Sequence, residues 1–228
     1  MNIAKKKILV LVAHTDDESF GCGGFLKKLK NKKNKIYAIS FTDGVGSRDR
    51  NNKYKIKKRK DASEKASKIL GFKWLAQFNF PDNQLDKVSI LEITKIIEKY
   101  KNKIKPDILL THNFSDLNVD HRIIAEAALT AFRPEPKQNL KKFITFEVPS
   151  ATDYRMLKNS KNFTPNFFVD VGNTMGFKIK AIKAYKEEIK PKPHSRSLSG
   201  VKNLNRLRGN QSGLNYAEAF EIIREISK

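Results

Sequence analysis

The sequence has little cysteine and no long apolar run. Its one cysteine among 228 residues, Cys22, excludes an internal disulfide framework, and on that ground we expect a cytoplasmic protein. No apolar run approaches the roughly 20 residues that a membrane-spanning helix needs. The first apolar run is short and lacks a small-residue cleavage site, so we interpret it as a core strand and not as a signal peptide.

Two kinds of short functional motif are also missing. Neither Gly-x-Gly-x-x-Gly nor a Walker-type loop follows the first apolar run, which counts against a nucleotide-binding module. The closely spaced metal motif His-Glu-x-x-His does not occur either. The absence of a short metal-binding spacing weakens the case for a metal site from the residues alone.

The charge balance is strongly positive. The chain has 46 Lys and Arg against 24 Asp and Glu, a formal net charge of +22. A polyanionic partner such as nucleic acid, an anionic membrane or a phosphorylated substrate would explain this excess. The positive runs are scattered over several predicted elements, without the interleaved aromatics of a nucleic-acid surface. Because Lys, Asn and Ile are all abundant, we favour compositional bias, and a phosphate-bearing substrate fits either explanation.

Alternating strand and helix patterns predict an α/β fold. Residues 8–13 form a continuous apolar run rich in β-branched residues, which is typical of a buried parallel strand. Gly21, Gly23 and Gly24 predict close packing of the helix that follows. Strands are predicted over 8–13, 35–41, 73–79, 108–111, 142–148 and 167–171. Helices are predicted over 17–30, 58–70, 88–100, 122–132, 178–189 and 216–226. This order predicts one Rossmann-like domain over residues 1–228, with a mainly parallel sheet and helices on both faces.

Two polar clusters follow predicted strands, at 13–18 and 112–121, and a polar glycine-rich loop over 42–47 is expected at the same edge. Because the carboxyl ends of parallel strands meet at one edge of a sheet, residues about a hundred positions apart can meet there. His14, Asp17 and His121 are then candidate ligands of one metal. Two nitrogens and a carboxylate suit Zn²⁺ and leave one position open for water.

Neighbouring carboxylates fit a hydrolytic site. Asp16 is placed to accept the proton of a water that attacks a carbonyl, and Asp120 to hydrogen-bond a histidine. The plain alternative is that acidic residues at a helix start favour the positive end of the helix dipole. A lone histidine in a loop is usually solvated. The residues by themselves leave both interpretations open.

Residues 13–18, Ala-His-Thr-Asp-Asp-Glu, closely resemble the Ala-His-Pro-Asp-Asp-Glu signature of the PIG-L/LmbE-type de-N-acetylases. These are zinc-dependent enzymes that remove N-acetyl groups from amino sugars. Further segments resemble the family's motifs: Thr42-Asp43-Gly44, Arg59, Leu70-Gly71, Pro81-Asp82, the stretch Asp116 to Arg122, the stretch Pro193 to Ser197, Arg208-Gly209, Gly213, and the stretch Tyr216 to Phe220. The resemblance spans most of the chain.

The resemblance implies a Rossmann-like fold with the active site at the C-terminal edge of the strands. It implies Zn²⁺, or another divalent metal, held by His14, Asp17 and His121, with Asp16 as the general base. Water would attack the acetamide carbonyl, and the products would be acetate and a free amine.

Two positions depart from the family pattern. Thr15 replaces a proline, and we expect an effect on loop stiffness only. Asn118 stands where several members carry a histidine that is assigned to protonation or oxyanion stabilisation. The Asn118 NH₂ group can donate to an oxyanion but cannot act as an acid. Either Asp16 returns its proton to the leaving amine or His194 serves as the acid, although a solvated loop histidine is an equally open interpretation of His194.

Several polar residues in family-like segments are candidates for substrate contacts. Asp82 is a candidate for a sugar hydroxyl, unless it only caps the following turn. A phosphate or carboxylate of the substrate would suit the arginines, although Arg59 also fits a solvated helix face; the candidates are Arg59, Arg122, Arg196 and Arg208.

The predicted function is metal-dependent removal of an N-acetyl group from an amino-sugar derivative, with nucleotide-linked or phosphorylated sugars included. The alternatives are an amidase for a non-sugar N-acyl substrate and a non-catalytic module that binds nucleotide or nucleic acid. We expect a small-molecule N-acetylated sugar as the partner, no membrane span and no nucleic acid. A homo-oligomer is left open.

Overall fold

The computed structural model of the protein describes residues 4–46, 53–155 and 162–227. Ser47, at the end of the predicted polar loop, lies outside these residues. The strands are β1 Lys7–Val12, β2 Lys35–Thr42, β3 Lys73–Phe80, β4 Ile108–His112, β5 Lys142–Phe146, β6 Phe167–Asp170 and β7 Ala217–Glu225. The helices are α1 Asp17–Asn31, α2 Lys53–Leu70, α3 Ile90–Ile104, α4 Val119–Ala131, α5 Met175–Ala184 and α6 Leu198–Asn210.

The strands form one sheet in the order β3-β2-β1-β4-β5-β7-β6. The first five strands are parallel, and β7 runs antiparallel to both β5 and β6. Ile8, Val10 and Val12 belong to a core cluster on one face, which also contains residues of α1, α2 and α5. Leu9 and Leu11 belong to the opposite cluster, with residues of α3 and α4. The predicted mainly parallel α/β sheet with helices on both faces is confirmed.

The strand order reverses between β1 and β4. The chain runs from β1 outward to β2 and β3 and then returns to the other side of β1 as β4. In open α/β sheets, ligands bind at such a reversal, beyond the carboxyl ends of the strands. His14 follows β1 and His112 ends β4, so the two polar clusters of the sequence meet at this point.

The predicted final helix over 216–226 is wrong, because Ala217–Glu225 is strand β7. Tyr216, Ala219, Phe220 and Ile223 have the spacing of a helix face, so the local pattern predicts a helix there. β7 instead pairs with β5 on one side and β6 on the other. Pairing with both neighbours satisfies its backbone groups and overrides the local pattern.

Helix α6, Leu198–Asn210, was not expected from the sequence. Its start is fixed by Ser197, whose side chain accepts a hydrogen bond from the Gly200 amide at 2.9 Å. The predicted helix 178–189 is shorter at its end, because α5 stops at Ala184 and a 3₁₀ turn covers Lys186–Glu188. Both differences lie in the C-terminal third of the chain.

Helix α1 packs against the sheet more closely than a residue with a side chain would allow. A Cβ at Gly21 would overlap the Phe146 ring, and one at Gly24 would lie 2.8 Å from Val171. At Gly23 there is room for a Cβ, so close packing is confirmed at two of the three glycines. Tight contact of α1 with the sheet fixes the direction in which Asp17, its first residue, leaves β1.

Among the described residues, no helix is both long enough and apolar enough to cross a membrane.

Candidate active site

Three side chains from the two polar clusters face one another at the edge of the sheet. The His14 Nδ1 atom lies 3.3 Å from Asp17 Oδ2 and 3.2 Å from His121 Nε2. The third side of the triangle, from His121 Nε2 to Asp17 Oδ2, is 3.3 Å. In a tetrahedral Zn²⁺ site with bonds of about 2.0–2.1 Å, ligand atoms are about 3.3–3.4 Å apart. The three atoms therefore match one face of such a site.

The second ring nitrogen of His14 and that of His121 each lie close to a carboxylate. His14 Nε2 lies 2.9 Å from Asp82 Oδ1 and 3.3 Å from Asp120 Oδ2. His121 Nδ1 lies 3.0 Å from Asp116 Oδ2. A carboxylate at the far nitrogen fixes the tautomer and orientation of a metal-ligating histidine. Sequence reasoning proposed this contact for Asp120 and missed it for Asp116, although Asp116 belongs to the same family-like motif.

Electrostatics at the three atoms favour a cation. Burial opposes charge on His121, but Asp116 and Asp17 raise its pKa to about 9. Burial also acts to raise the pKa of Asp17, yet the charges of His121 and His14 hold that pKa well below its usual range. Asp17 Oδ1 is buried and has no hydrogen-bond partner. A site that draws protons to its nitrogens and keeps its carboxylate ionised is suited to a divalent metal.

His112 is a buried histidine that sequence reasoning left out of the site. Its ring stacks on His121 with centroids 3.8 Å apart, and its Nε2 accepts the Ala13 amide at 2.8 Å. Burial lowers the pKa of His112 to about 3, so the ring is neutral. His112 thus supports the His121 ring by stacking on it. Its place at the end of a buried strand was the available signal.

Asp16 lies beside the triad of His14, Asp17 and His121 and is buried. Its two carboxylate oxygens pair with different arginines, Oδ1 with Arg59 and Oδ2 with Arg196, both at 3.0 Å. Burial raises the pKa of Asp16 to about 6, against the opposing charges of Arg196 and Arg59. A carboxylate with a pKa near 6 is suited to accept a proton near neutral pH.

Thr15 contacts one of the same arginines. Its hydroxyl accepts a hydrogen bond from Arg59 Nε at 3.1 Å, which a proline at this position could not do. The expectation that Thr15 affects only loop stiffness is therefore wrong. The departure from the family signature adds a polar contact inside the site.

Asn118 is the N-cap of α4. Its Oδ1 accepts hydrogen bonds from the backbone amides of Asp120 and His121, so the side chain has a fixed orientation. Its Nδ2 donates to Asn83 Oδ1 at 3.0 Å. The amide group thus directs its donor side away from the helix. Asn118 also lines the cavity described next.

A cavity of about 670 Å³ opens above the triad. Its floor is formed by the triad and by Asp16. The remaining lining residues come from the loops after β2, β3, β4 and β5, from α2 and from the C-terminal segment, and include Gly44, Arg59, Asp82, Asn83, Leu117, Asn118, Ser150, Glu188, Lys190 and Arg196. A cavity of this size accommodates a sugar-sized substrate.

Three other residues with predicted roles lie outside the cavity lining. Arg208 makes a two-point pair with Glu147, at 2.8 and 2.6 Å. Arg122 donates to the backbone carbonyls of Asp116 and Leu117. His194 accepts the Arg196 amide with Nδ1 at 3.0 Å and packs edge-on against Tyr154. Asp82 and Asn118 line the same cavity as His14, Asp17 and His121, whereas Arg208, Arg122 and His194 have partners elsewhere.

Comparison with known proteins identifies the family. The family model described as GlcNAc-PI de-N-acetylase (PIG-L) matches residues 9–132. The uncharacterised deacetylase YaiS of Escherichia coli K12 is 31% identical over 155 residues, which cover 64% of this chain and 76% of YaiS. The diacetylchitobiose deacetylase of Thermococcus kodakarensis is 26% identical over 227 residues, which cover 96% of this chain and 83% of that enzyme.

Among solved structures, the N,N′-diacetylchitobiose deacetylase from Pyrococcus horikoshii superimposes with a TM-score of 0.76 at 23% identity. The superposition covers 96% of this chain and 84% of that enzyme. The structural likeness supports the fold, and the matched sequence model adds the family. The chain belongs to the PIG-L family of deacetylases.

Proposed function

We propose that the protein is a metal-dependent hydrolase that removes the acetyl group from an N-acetylated amino sugar or its conjugate. The observation that carries the proposal is the triangle of His14, Asp17 and His121, with sides of 3.2–3.3 Å. Its dimensions suit Zn²⁺, although other divalent metals fit the same ligand set. The named activity of the diacetylchitobiose relatives supports an amino-sugar substrate.

His14, Asp17 and His121 would hold a divalent cation, which would supply Lewis-acid chemistry by polarising an amide carbonyl and lowering the pKa of water. Asp16 accepts the proton of the attacking water. Asn118 donates from its NH₂ group to the carbonyl oxygen as negative charge develops there. The C–N bond then breaks, and the nitrogen takes up a proton to leave as a free amine, with acetate as the second product.

The proton for the leaving amine comes from Asp16 in this proposal. His194 has Nδ1 occupied by the Arg196 amide and does not line the cavity, so its geometry favours it less as the acid. Asp82 faces His14 at 2.9 Å and lines the cavity, which suits it to orient His14 and to meet a sugar hydroxyl.

The test measures bound metal and acetate release with purified protein. The substrates are N-acetylglucosamine, N,N′-diacetylchitobiose, a nucleotide-linked N-acetylglucosamine and an N-acetyl amino acid. We expect stoichiometric metal and acetate from at least one sugar, with both lost in His121→Ala. Asp86→Asn, which changes an exposed carboxylate, serves as the matched control and keeps both. Wild-type protein that binds metal but releases acetate only from the amino acid would favour a non-sugar amidase; no acetate from any substrate contradicts the proposal.

A further inference from the structure

We propose that Arg59 and Arg196 are positioning residues that hold the Asp16 carboxylate over the metal triad, and that they do not bind an anionic group of the substrate. This inference rests on the proposed function, in which Asp16 is the base. It replaces the sequence-based expectation that these arginines bind a phosphate or carboxylate of the substrate.

The two arginines pair with different carboxylate oxygens of Asp16. Arg59 Nη2 lies 3.0 Å from Oδ1, and Arg196 Nη2 lies 3.0 Å from Oδ2. The Arg59 side chain is 9% exposed and that of Arg196 is 15% exposed. Ion pairs with so little solvent are screened less than surface pairs and hold a defined geometry. Each carboxylate oxygen thus has its own buried cation.

Glu188 links the two guanidinium groups. Its Oε1 lies 2.5 Å from Arg59 Nη1, and its Oε2 lies 3.2 Å from Arg196 Nη1. Asp16, Arg59, Glu188 and Arg196 therefore form a closed ring of alternating charge, with two cations and two anions. A substrate anion would have to displace one of these carboxylates to reach either guanidinium group. Glu188 had no sequence motif to mark it.

Other contacts fix the directions of the arginines. The Arg196 guanidinium lies over the Phe20 ring, 4.4 Å from its centroid. Arg59 Nε donates to Thr15, and its guanidinium packs on Gly44, where a Cβ would lie 2.6 Å from Nε. Gly44 has φ +66°, which also favours glycine. The loops after β1 and β2 are thus shaped to hold this ring.

The backbone of Asp16 explains why such support is needed. Asp16 has φ +143° and ψ −28°, a conformation that non-glycine residues rarely adopt. It lies between the predicted ligands His14 and Asp17. The Asp16 amide donates to Glu18 Oε2 at 3.0 Å, and Glu18 Oε1 accepts the Tyr185 hydroxyl at 2.9 Å. Glu18 thus fixes the backbone while the arginines fix the side chain.

The test separates kcat from KM in metal-loaded protein, with one neutral substrate, N,N′-diacetylchitobiose, and one phosphorylated substrate, N-acetylglucosamine 1-phosphate. For Arg196→Met and Arg59→Met we expect kcat to fall about 100-fold on every substrate that the wild type accepts, with KM changed less than about threefold. Bound metal should stay stoichiometric. Arg196→Lys should recover about tenfold of the loss, because a lysine supplies the charge without the fork. Arg206→Met, at an exposed arginine of α6, is the matched control.

A rise in KM for the phosphorylated substrate alone, with kcat intact, would overturn the inference and assign the arginines to substrate binding.

A double-mutant cycle between Asp16→Asn and Arg196→Met, read from denaturation midpoints, decides whether the pair is coupled without relying on activity. We expect the double variant to be no less stable than Arg196→Met. Additive shifts contradict the inference. An inactive wild type with a coupled pair would instead place the failure in the proposed function.

Discussion

At the scale of single residues, Asp17 contacts every histidine of the site described above. Its Oδ2 accepts the His14 amide at 2.9 Å and lies within 3.4 Å of nitrogens of three imidazoles, those of His14, His112 and His121. The sequence predicted Asp17 together with two of these histidines, because they stand in motifs after strands. It did not predict His112, whose place behind the triad depends on how β1 and β4 pair.

The helix-capping role and the proposed catalytic role of Asn118 can be tested separately by substitution. Asn118→Ser keeps a side-chain oxygen at the N-cap of α4 but removes the amide N–H donors. We expect kcat to fall about 100-fold, as for loss of one oxyanion donor, with an unchanged melting temperature. Asn118→Ala, which lacks both groups, should also lose about 1 kcal/mol of stability. Full activity in Asn118→Ser, measured by acetate release, would remove the amide from the mechanism.

At the scale of elements, α1 depends on strand β7. The helix is kinked at Cys22, and the amides of Gly24 and Phe25 donate to the two oxygens of Glu218 at 2.8 and 2.7 Å. Lys178 of α5 balances this buried carboxylate at 2.7 Å. The C-terminal strand therefore supports the helix that presents Asp17.

Glu218→Gln should be strongly destabilising, because it leaves Lys178 buried without a counter-charge. We expect a loss of about 3–5 kcal/mol in the free energy of unfolding, measured with denaturant. Glu225→Gln, in the same strand, removes an exposed carboxylate paired with Lys142 and should cost less than about 1 kcal/mol. Combining Glu218→Gln with Lys178→Met should recover part of the loss. If Glu218→Gln and Glu225→Gln lowered the free energy of unfolding equally, the proposed support of α1 by β7 would be refuted.

At the scale of the whole molecule, the site collects negative charge in a chain of net charge +22. Seven of the 24 acidic residues belong to it: Asp16, Asp17, Glu18, Asp82, Asp116, Asp120 and Glu188. The site is thus locally acidic within a strongly basic protein. This concentration is more informative about function than the net charge.

Metal binding should stabilise the whole fold, because the proposed ligands join the exit of β1 to the start of α4. With free metal at about 100 times its Kd, the gain is about 2.7 kcal/mol, or roughly 5–10 °C in Tm for a domain of this size. Chelation should lower the Tm by that amount, and added Zn²⁺ should restore it. His121→Ala should show no response to chelator. A Tm that stays constant while metal is removed would contradict the proposed ligand set.

The sequence by itself determined the parallel α/β core and the edge of the sheet at which His14, Asp17 and His121 meet. Continuous apolar runs alternate with helix patterns, and polar motifs follow two of those runs, so the common edge of the sheet follows from periodicity. Only the tertiary structure decided the C-terminal third. There β7 is a strand because β5 and β6 offer backbone partners on both sides. Arg196 pairs with Asp16, and Glu188 pairs with Arg59 and Arg196, because that third folds back over the edge of the sheet. No local sequence pattern encodes contacts between residues so far apart in the chain.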